Sequence, residues 1–179
     1  MNPSSDKTKK NYQVLESTIT NISKIKNEKK IAELSVNQNQ YQEAIHSYEN
    51  VINILLESST TIINANIKKH YIKLLLCWLI FAARNNFMIK FKEKVQEYKG
   101  KYYQFDEIIE LKLIESMANK FDEEDLDGFT DEIIKYDSIK KLDSWEASLL
   151  LEVKAIIKRG KSEEKTDKET SKEIMDEIV

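Results

Sequence analysis

Residues 71–83 read Tyr-Ile-Lys-Leu-Leu-Leu-Cys-Trp-Leu-Ile-Phe-Ala-Ala, and this stretch decides the fold. The apolar residues run without interruption from Leu74 to Ala83, so they occupy every face of an α-helix and that helix must be covered on several sides. A membrane-spanning helix needs roughly 20 apolar residues, which is about twice this length. The stretch therefore predicts a buried helix that the flanking sequence has to enclose.

The composition of the 179 residues favours an all-α fold. Three glycines and one proline are too few for the turns of a β-protein. A net charge of −3 argues against a nucleic-acid-binding protein. The single cysteine, Cys77, lies inside the apolar run and is expected to be a small buried hydrophobe. No signal peptide or lipidation motif is visible, so a cytoplasmic protein is expected.

The remaining apolar periodicity predicts about seven helices joined by short turns, and short turns make neighbouring helices antiparallel. Three hairpins and a final helix are predicted, namely residues 11–36 with 41–58, 62–84 with 87–99, 105–120 with 124–136, and then 143–160. Residues 1–10 and the acidic residues 161–179 are expected to be flexible ends flanking a helical domain over residues 11–160.

The periodicity also predicts which side chains face the core and where the helices end. Asp143 and Glu146 have the spacing of a capping box, whereas Gly100 and Gly160 are expected to stop their helices. The predicted inward residues are Leu15, Ile19, Ile22, Ile25, Ile31 and Leu34 in the first helix, Tyr41, Ala44, Tyr48, Val51 and Leu55 in the second, Phe105, Ile109, Leu113 and Met117 in the fifth, and Leu142, Trp145, Leu149, Val153 and Ile156 in the last.

A repeat signature favours stacked hairpins over a closed bundle. Ala32 lies twelve residues before Ala44, and Tyr48 and Val51 follow at the spacing of a tetratricopeptide repeat. The predicted fold is therefore a short tetratricopeptide-like α-solenoid.

The sequence contains no constellation that predicts a catalytic or metal site. His46 and His70 are far apart and have no paired cysteines near them. The segment that begins at Glu123 and continues through Asp125 and Asp127 resembles the start of a calcium-binding loop, but Ile134 stands where that loop needs a bidentate Glu. No glycine loop or activated nucleophile is present, so we expect a protein that is not an enzyme and needs no cofactor.

A cluster of potential cations lies at the start of the buried helix. Lys68, Lys69, His70 and Lys73 fall within two turns, and Lys69 and Lys73 share a face. Two interpretations stay open at this point. The cluster either keeps the exposed end of the helix solvated or forms a basic patch for an acidic helical partner.

Several short motifs, taken together in their order and spacing, resemble one protein family. They are Tyr136-Asp137-Ser138-Ile139, Leu142-Asp143 with Trp145, Glu110-x-Lys112-Leu113, Lys73-x-x-Leu76-Cys77 and Tyr41-x-x-Ala44. Over residues 41–160 the chain resembles the C-terminal region of the soluble N-ethylmaleimide-sensitive-factor attachment proteins, the alpha-SNAP family.

The resemblance implies an adaptor in vesicle fusion and intracellular protein transport. Members of this family embrace the SNARE helical bundle and recruit and stimulate a hexameric disassembly ATPase, so they are cytoplasmic and associate with membranes peripherally through their partners. By this resemblance, Lys68 together with Lys69 and Lys73 would face the SNARE bundle. Asp122, Glu123 and Glu124 would face the ATPase, and the terminal Asp176, Glu177, Ile178 and Val179 would contact and stimulate it.

The chain also departs from the family pattern. The family is longer, and its N-terminal hairpins with their membrane-touching loop have no counterpart here. Ile109 stands where a SNARE-facing arginine is expected, and Asn119 where an ATPase-facing glutamate is expected. Two alternatives remain: a generic tetratricopeptide-like scaffold that binds another peptide, or a chain whose terminal Glu177-Ile178-Val179 is itself a ligand for a partner.

Overall fold

The computed structural model describes the backbone of residues 3–57, 63–102, 104 and 107–177, and the side chains of residues 9–57, 66–102, 104 and 107–160. Within these ranges the regular structure is helical, which confirms the all-α prediction and the predicted number of helices. The seven helices of the described residues are α1 (Pro3–Asn37), α2 (Tyr41–Glu57), α3 (Ile63–Asn85), α4 (Met88–Lys101), α5 (Ile109–Asp122), α6 (Leu126–Ile139) and α7 (Ser144–Glu177).

The chain divides into two compact units between Cys77 and Trp78, within α3. The apolar run of α3 is buried along its length apart from Phe81, which is half-buried, so the predicted buried helix is confirmed. The core of the first unit includes Ala32, Val36, Ala44, Tyr48, Val51, Ile67, Tyr71 and Leu74. The core of the second unit includes Leu79, Phe91, Val95, Tyr98, Ile114, Met117, Phe129, Tyr136, Leu149 and Val153.

The inward face of α1 differs from the predicted one. Ala32, Ser35 and Val36 are buried, whereas the predicted stripe is exposed, with 60% of Ile19 and 61% of Ile22 accessible to solvent. The periodicity identified an apolar face correctly, but no described element covers that face. Ile25 alone of the predicted set is half-buried, and the exposed members are Leu15, Ile19, Ile22, Ile31 and Leu34.

Helix α5 also presents a different face to the core. Its buried residues are Glu110, Leu111, Ile114, Met117 and Ala118. Of the predicted set, Met117 is buried and Leu113 is half-buried, but Ile109 is 51% exposed, and Phe105 lies outside the described residues. The prediction for Ile109 is therefore wrong. Two overlapping apolar stripes run along this helix, and the periodicity alone does not choose between them.

Two helices, α1 and α3, end close to an asparagine in the left-handed conformation, where a glycine is more usual. Asn39 and Asn86 have φ values of 60° and 56°, the left-handed conformation that closes a helix. Gly100 and Gly160 lie inside α4 and α7, so their predicted role as helix stops is wrong. A glycine within a helix costs about 1 kcal/mol relative to alanine, which the rest of a helix can offset.

The predicted capping box at the start of α7 is confirmed. The backbone N–H of Glu146 donates to Asp143 Oδ1 at 2.8 Å, and the backbone N–H of Asp143 donates to Glu146 Oε2 at 3.1 Å. Of the stripe predicted for this helix, Leu149 and Val153 are buried and Trp145 is half-buried.

The two ends of the described chain are helical. Helix α1 begins at Pro3 and α7 continues to Glu177. The flexible ends over residues 1–10 and 161–179 stay predictions. Ile178 and Val179 lie outside the described residues.

Candidate protein-interaction surfaces

The predicted basic cluster contains a buried histidine. His70 is 4% exposed, and its ring is stacked on Tyr48 with the ring centroids 6.1 Å apart. Burial, together with the nearby charges of Lys29, Lys73 and Lys69, lowers the pKa of His70 from 6.5 to about 4. His70 is therefore neutral at pH 7. The sequence treated it as a potential cation, and its burial corrects that interpretation.

The same electrostatic contacts show which lysines lie together. Lys69 is exposed and Lys73 is half-buried on α3, and both act on His70 together with Lys29 from α1. Lys68 is half-buried on the same helix. The basic cluster thus draws on two helices, and Lys29 was missed because sequence spacing relates only residues of one helix. We call Lys29, Lys68, Lys69 and Lys73 the basic surface.

Acid should weaken the folded state through His70. Below about pH 6.5 the unfolded chain binds a proton at this residue, whereas the folded chain binds it only near pH 4, so stability falls as the pH falls through this window. Between about pH 7.5 and pH 5 the loss should be about 1 kcal/mol, allowing for solvent screening. Urea unfolding of the wild type and of His70→Phe, which keeps an aromatic ring against Tyr48, measures it. Identical pH dependence in the two proteins would contradict this role of His70.

The predicted acidic residues lie at the turn between α5 and α6. Asp122 ends α5, Glu123 caps it, and Glu124 follows in the left-handed conformation with a φ of 53°. Asp122 accepts a hydrogen bond from Lys92 at 2.5 Å, and Glu123 accepts one from Lys120 at 2.7 Å. Two of the three carboxylates are therefore paired with lysines of this chain. All three side chains are exposed.

Asp125, which lies in the segment that resembles the start of a calcium-binding loop, has a structural role. Its Oδ1 accepts a hydrogen bond from the backbone N–H of Gly128 at 2.9 Å, so it is the N-cap of α6. Its other oxygen is 3.0 Å from Lys120 Nζ. These two carboxylates, Glu123 and Asp125, raise the pKa of Lys120 to about 12. Asp125 thus helps to begin a helix.

The terminal residues predicted to contact an ATPase are only partly described. Asp176 and Glu177 belong to the backbone of α7, and nothing is described of their side chains, while Ile178 and Val179 lie outside the described residues. Their contact with an ATPase therefore stays a prediction. Ile109 and Asn119, the two departures from the family pattern, are both exposed and so occupy surface positions.

Other features of the described residues give no catalytic site. A cleft of about 500 Å³ between α4 and α5 is lined by both members of the ion pair Lys92–Asp122, whose charged atoms are 2.5 Å apart. Cys77 is fully buried, and burial raises the pKa of its thiol, which confirms its role as a small core residue.

Among the described residues, no group of three or more His, Cys, Asp or Glu side chains is placed so that it could hold a metal ion. None of the described helices combines the length and apolarity that crossing a bilayer requires.

Antiparallel helices joined by short turns define the class of the protein, a helical-hairpin protein. Comparison with known proteins identifies the family within this class. Residues 8–158 match the family model described as soluble NSF attachment protein, SNAP. The chain therefore belongs to the soluble NSF attachment protein family, whose fold is a helical solenoid, as the motifs predicted.

Individual relatives agree with the family match. The chain is 30% identical to the alpha-soluble NSF attachment protein of Mus musculus, over 72% of this chain and 41% of the relative. It is 31% identical to the protein of the same name from Vitis vinifera, over 75% of this chain and 45% of the relative. It is 31% identical to the vesicular-fusion protein SEC17 of Coprinopsis cinerea, over 76% of this chain and 44% of the relative. The chain thus spans less than half the length of these relatives.

Proposed function

We propose that the chain is a non-enzymatic adaptor in vesicle fusion that binds a SNARE helical bundle and recruits and stimulates the NSF-type disassembly ATPase. Membership of the family and the names of the relatives, which refer to NSF attachment and vesicular fusion, support the proposal. The observation that carries it is the basic surface, in which Lys29 of α1 and Lys69 and Lys73 of α3 lie near one buried neutral histidine.

The basic surface is the part that we assign to the SNARE bundle. Because His70 is neutral, the positive charge comes from Lys29, Lys68, Lys69 and Lys73 alone. Each exposed ion pair contributes about 0.5–1 kcal/mol, so binding needs several pairs and several copies of the adaptor around one bundle. Complementary charge of this kind also sets the orientation in which the adaptor and the bundle bind and the rate at which they associate.

The acidic turn and the C-terminal residues are the parts that we assign to the ATPase. Asp122 and Glu123 are paired with Lys92 and Lys120, so a basic partner has to compete with these lysines. Glu124 projects from the same turn and is exposed. Asp176, Glu177, Ile178 and Val179 complete this assignment as the residues that stimulate the ATPase.

Charge reversal on the basic surface should weaken binding to the SNARE bundle. Replacing Lys68 and Lys69 by Glu should lower affinity by about tenfold, because attraction at two positions becomes repulsion. A pull-down with a preformed SNARE bundle at moderate salt measures this. The matched control is Lys90→Glu with Lys158→Glu, which makes the same change in net charge at two exposed positions of the second unit.

The outcomes separate the parts of the proposal. Equal binding by the Lys68 and Lys69 variant, its control and the wild type would contradict the basic-surface assignment. Absence of bundle binding by the wild-type chain, with and without the ATPase, would instead favour the generic tetratricopeptide-like scaffold. A deletion of residues 174–179 should keep bundle binding and reduce stimulation of the ATPase.

The proposal also includes the location of the protein. Its partners act at the cytoplasmic side of membranes, so we place the chain in the cytoplasm, associated with membranes peripherally through the SNARE complex.

A further inference from the structure

Half of α1 extends past the helix that pairs with it. Helix α1 has 35 residues and α2 has 17. The hydrogen bond from Asn50 Nδ2 to Glu28 Oε1, at 3.3 Å, fixes the antiparallel register and brings the end of α2, Glu57, beside Asn21. At a rise of about 1.5 Å per residue, the part of α1 before Asn21 is an arm of about 27 Å. The side chains of residues 9–20 on this arm are all exposed.

An apolar seam runs along the arm. Tyr12, Leu15, Ile19 and Ile22 are 68%, 56%, 60% and 61% exposed, respectively. Their successive spacings of three, four and three residues are those of the a and d positions of a coiled coil. A seam limited to these positions is narrow and fits a second helix better than a lipid surface, which needs a wider apolar face. We call these four residues the α1 seam.

The α1 seam continues into positive charge. The next residues at the same spacing are Lys26 and Lys29, four and seven residues after Ile22. Lys26 is exposed, and Lys29 is the residue that acts on His70 together with Lys69 and Lys73. A helix aligned with the seam would therefore pass from an apolar contact to a cationic one. Parallel pairing of two copies would place each of these lysines against itself, which is unfavourable.

We propose that the α1 seam binds an acidic amphipathic helix of another protein. The spacing of the seam selects a helix, and the lysines that follow it select acidic side chains beside the partner's apolar stripe. This contact is separate from the binding of a closed SNARE bundle, whose apolar side chains are turned inward, and it does not depend on the function proposed above.

The test uses a synthetic helix as the probe. A fluorescein-labelled peptide of three heptads with Leu at a and d and Glu at e and g stays monomeric through its own repulsion, so it reports binding to the full chain by fluorescence anisotropy. Replacing Leu15 and Ile19 by Gln should weaken binding by about tenfold or more, because two apolar contacts are lost. Gln preserves helix propensity. The matched control is Val14→Gln on the same arm, since Val14 is 65% exposed but lies off the seam.

Three outcomes would overturn the proposal. The first is equal affinity of the double variant and the wild type. The second is equal affinity for a peptide with Lys in place of Glu. The third is sedimentation of the wild-type chain as a dimer that the double variant converts to a monomer, because a second copy would then occupy the seam. Circular dichroism checks that all variants are equally helical, and loss of peptide binding with unchanged SNARE-bundle binding separates this contact from the proposed function.

Discussion

Replacing Trp78 by Ala should lower the free energy of unfolding by about 3–5 kcal/mol. Trp78 is 7% exposed, and its indole packs edge-on against Phe81 with ring centroids 5.7 Å apart. Its Nε1–H also donates a hydrogen bond to the Tyr98 hydroxyl at 2.8 Å, which joins α3 to α4. Truncation therefore leaves a cavity and removes a hydrogen bond to a buried hydroxyl, and each effect is destabilising.

Urea unfolding followed by circular dichroism measures this loss. The matched control is Ile89→Ala, because Ile89 is 75% exposed and should change stability by no more than about 0.5 kcal/mol. Tyr98→Phe separates the hydrogen bond from the packing and should cost about 1 kcal/mol. If Trp78→Ala behaved like Ile89→Ala, α3 would not be the packing centre of the second unit.

The parts of the fold that the sequence predicted are those with one physical solution. Residues 74–83 are apolar on every side, so no choice of face was needed and the helix had to be buried. The capping box at Asp143 and Glu146 depends on residues three apart in the chain, and a local hydrogen-bond pattern can be recognised from local sequence. The helices and their order followed from these signals together with short polar turns.

The parts that the sequence did not predict depend on distant elements. Leu15, Ile19 and Ile22 form an apolar stripe, but helical periodicity does not say whether another element covers it. In α5 the choice between the face of Ile109 and the face of Leu111 depends on α6 and α4, with which α5 makes contacts. Tertiary packing decides such choices, and intrinsic periodicity does not.

In the candidate sites too, local sequence predicted some residues, whereas others depend on tertiary packing. Lys68, Lys69 and Lys73 could be grouped from their spacing on one helix, whereas Lys29 joins them only through the packing of α1. The charge state of His70 depends on its burial against Tyr48, which no local pattern reveals. The acidic turn was identified, but the pairing of Asp122 with Lys92 required the structure.

Replacing Glu146 by Ala should lower the free energy of unfolding by about 2–3 kcal/mol. Glu146 is fully buried, accepts the backbone N–H of Asp143, and forms an ion pair with Lys140. Alanine removes half of the capping box and the partner of that lysine. The Lys140 side chain is 39% exposed and can regain water, so the loss is smaller than for a fully buried pair.

Tyr136 lies beside Glu146. Burial raises the pKa of Tyr136, and the charges of Glu146, Glu110 and Asp143 raise it further, so these carboxylates lie near its hydroxyl. Glu146→Gln keeps an oxygen for the Asp143 N–H and loses only the ion pair, so urea unfolding should find it about half as costly as Glu146→Ala. Equal stability of Glu146→Ala and the wild type would mean that the capping box and its ion pair do not hold the start of α7.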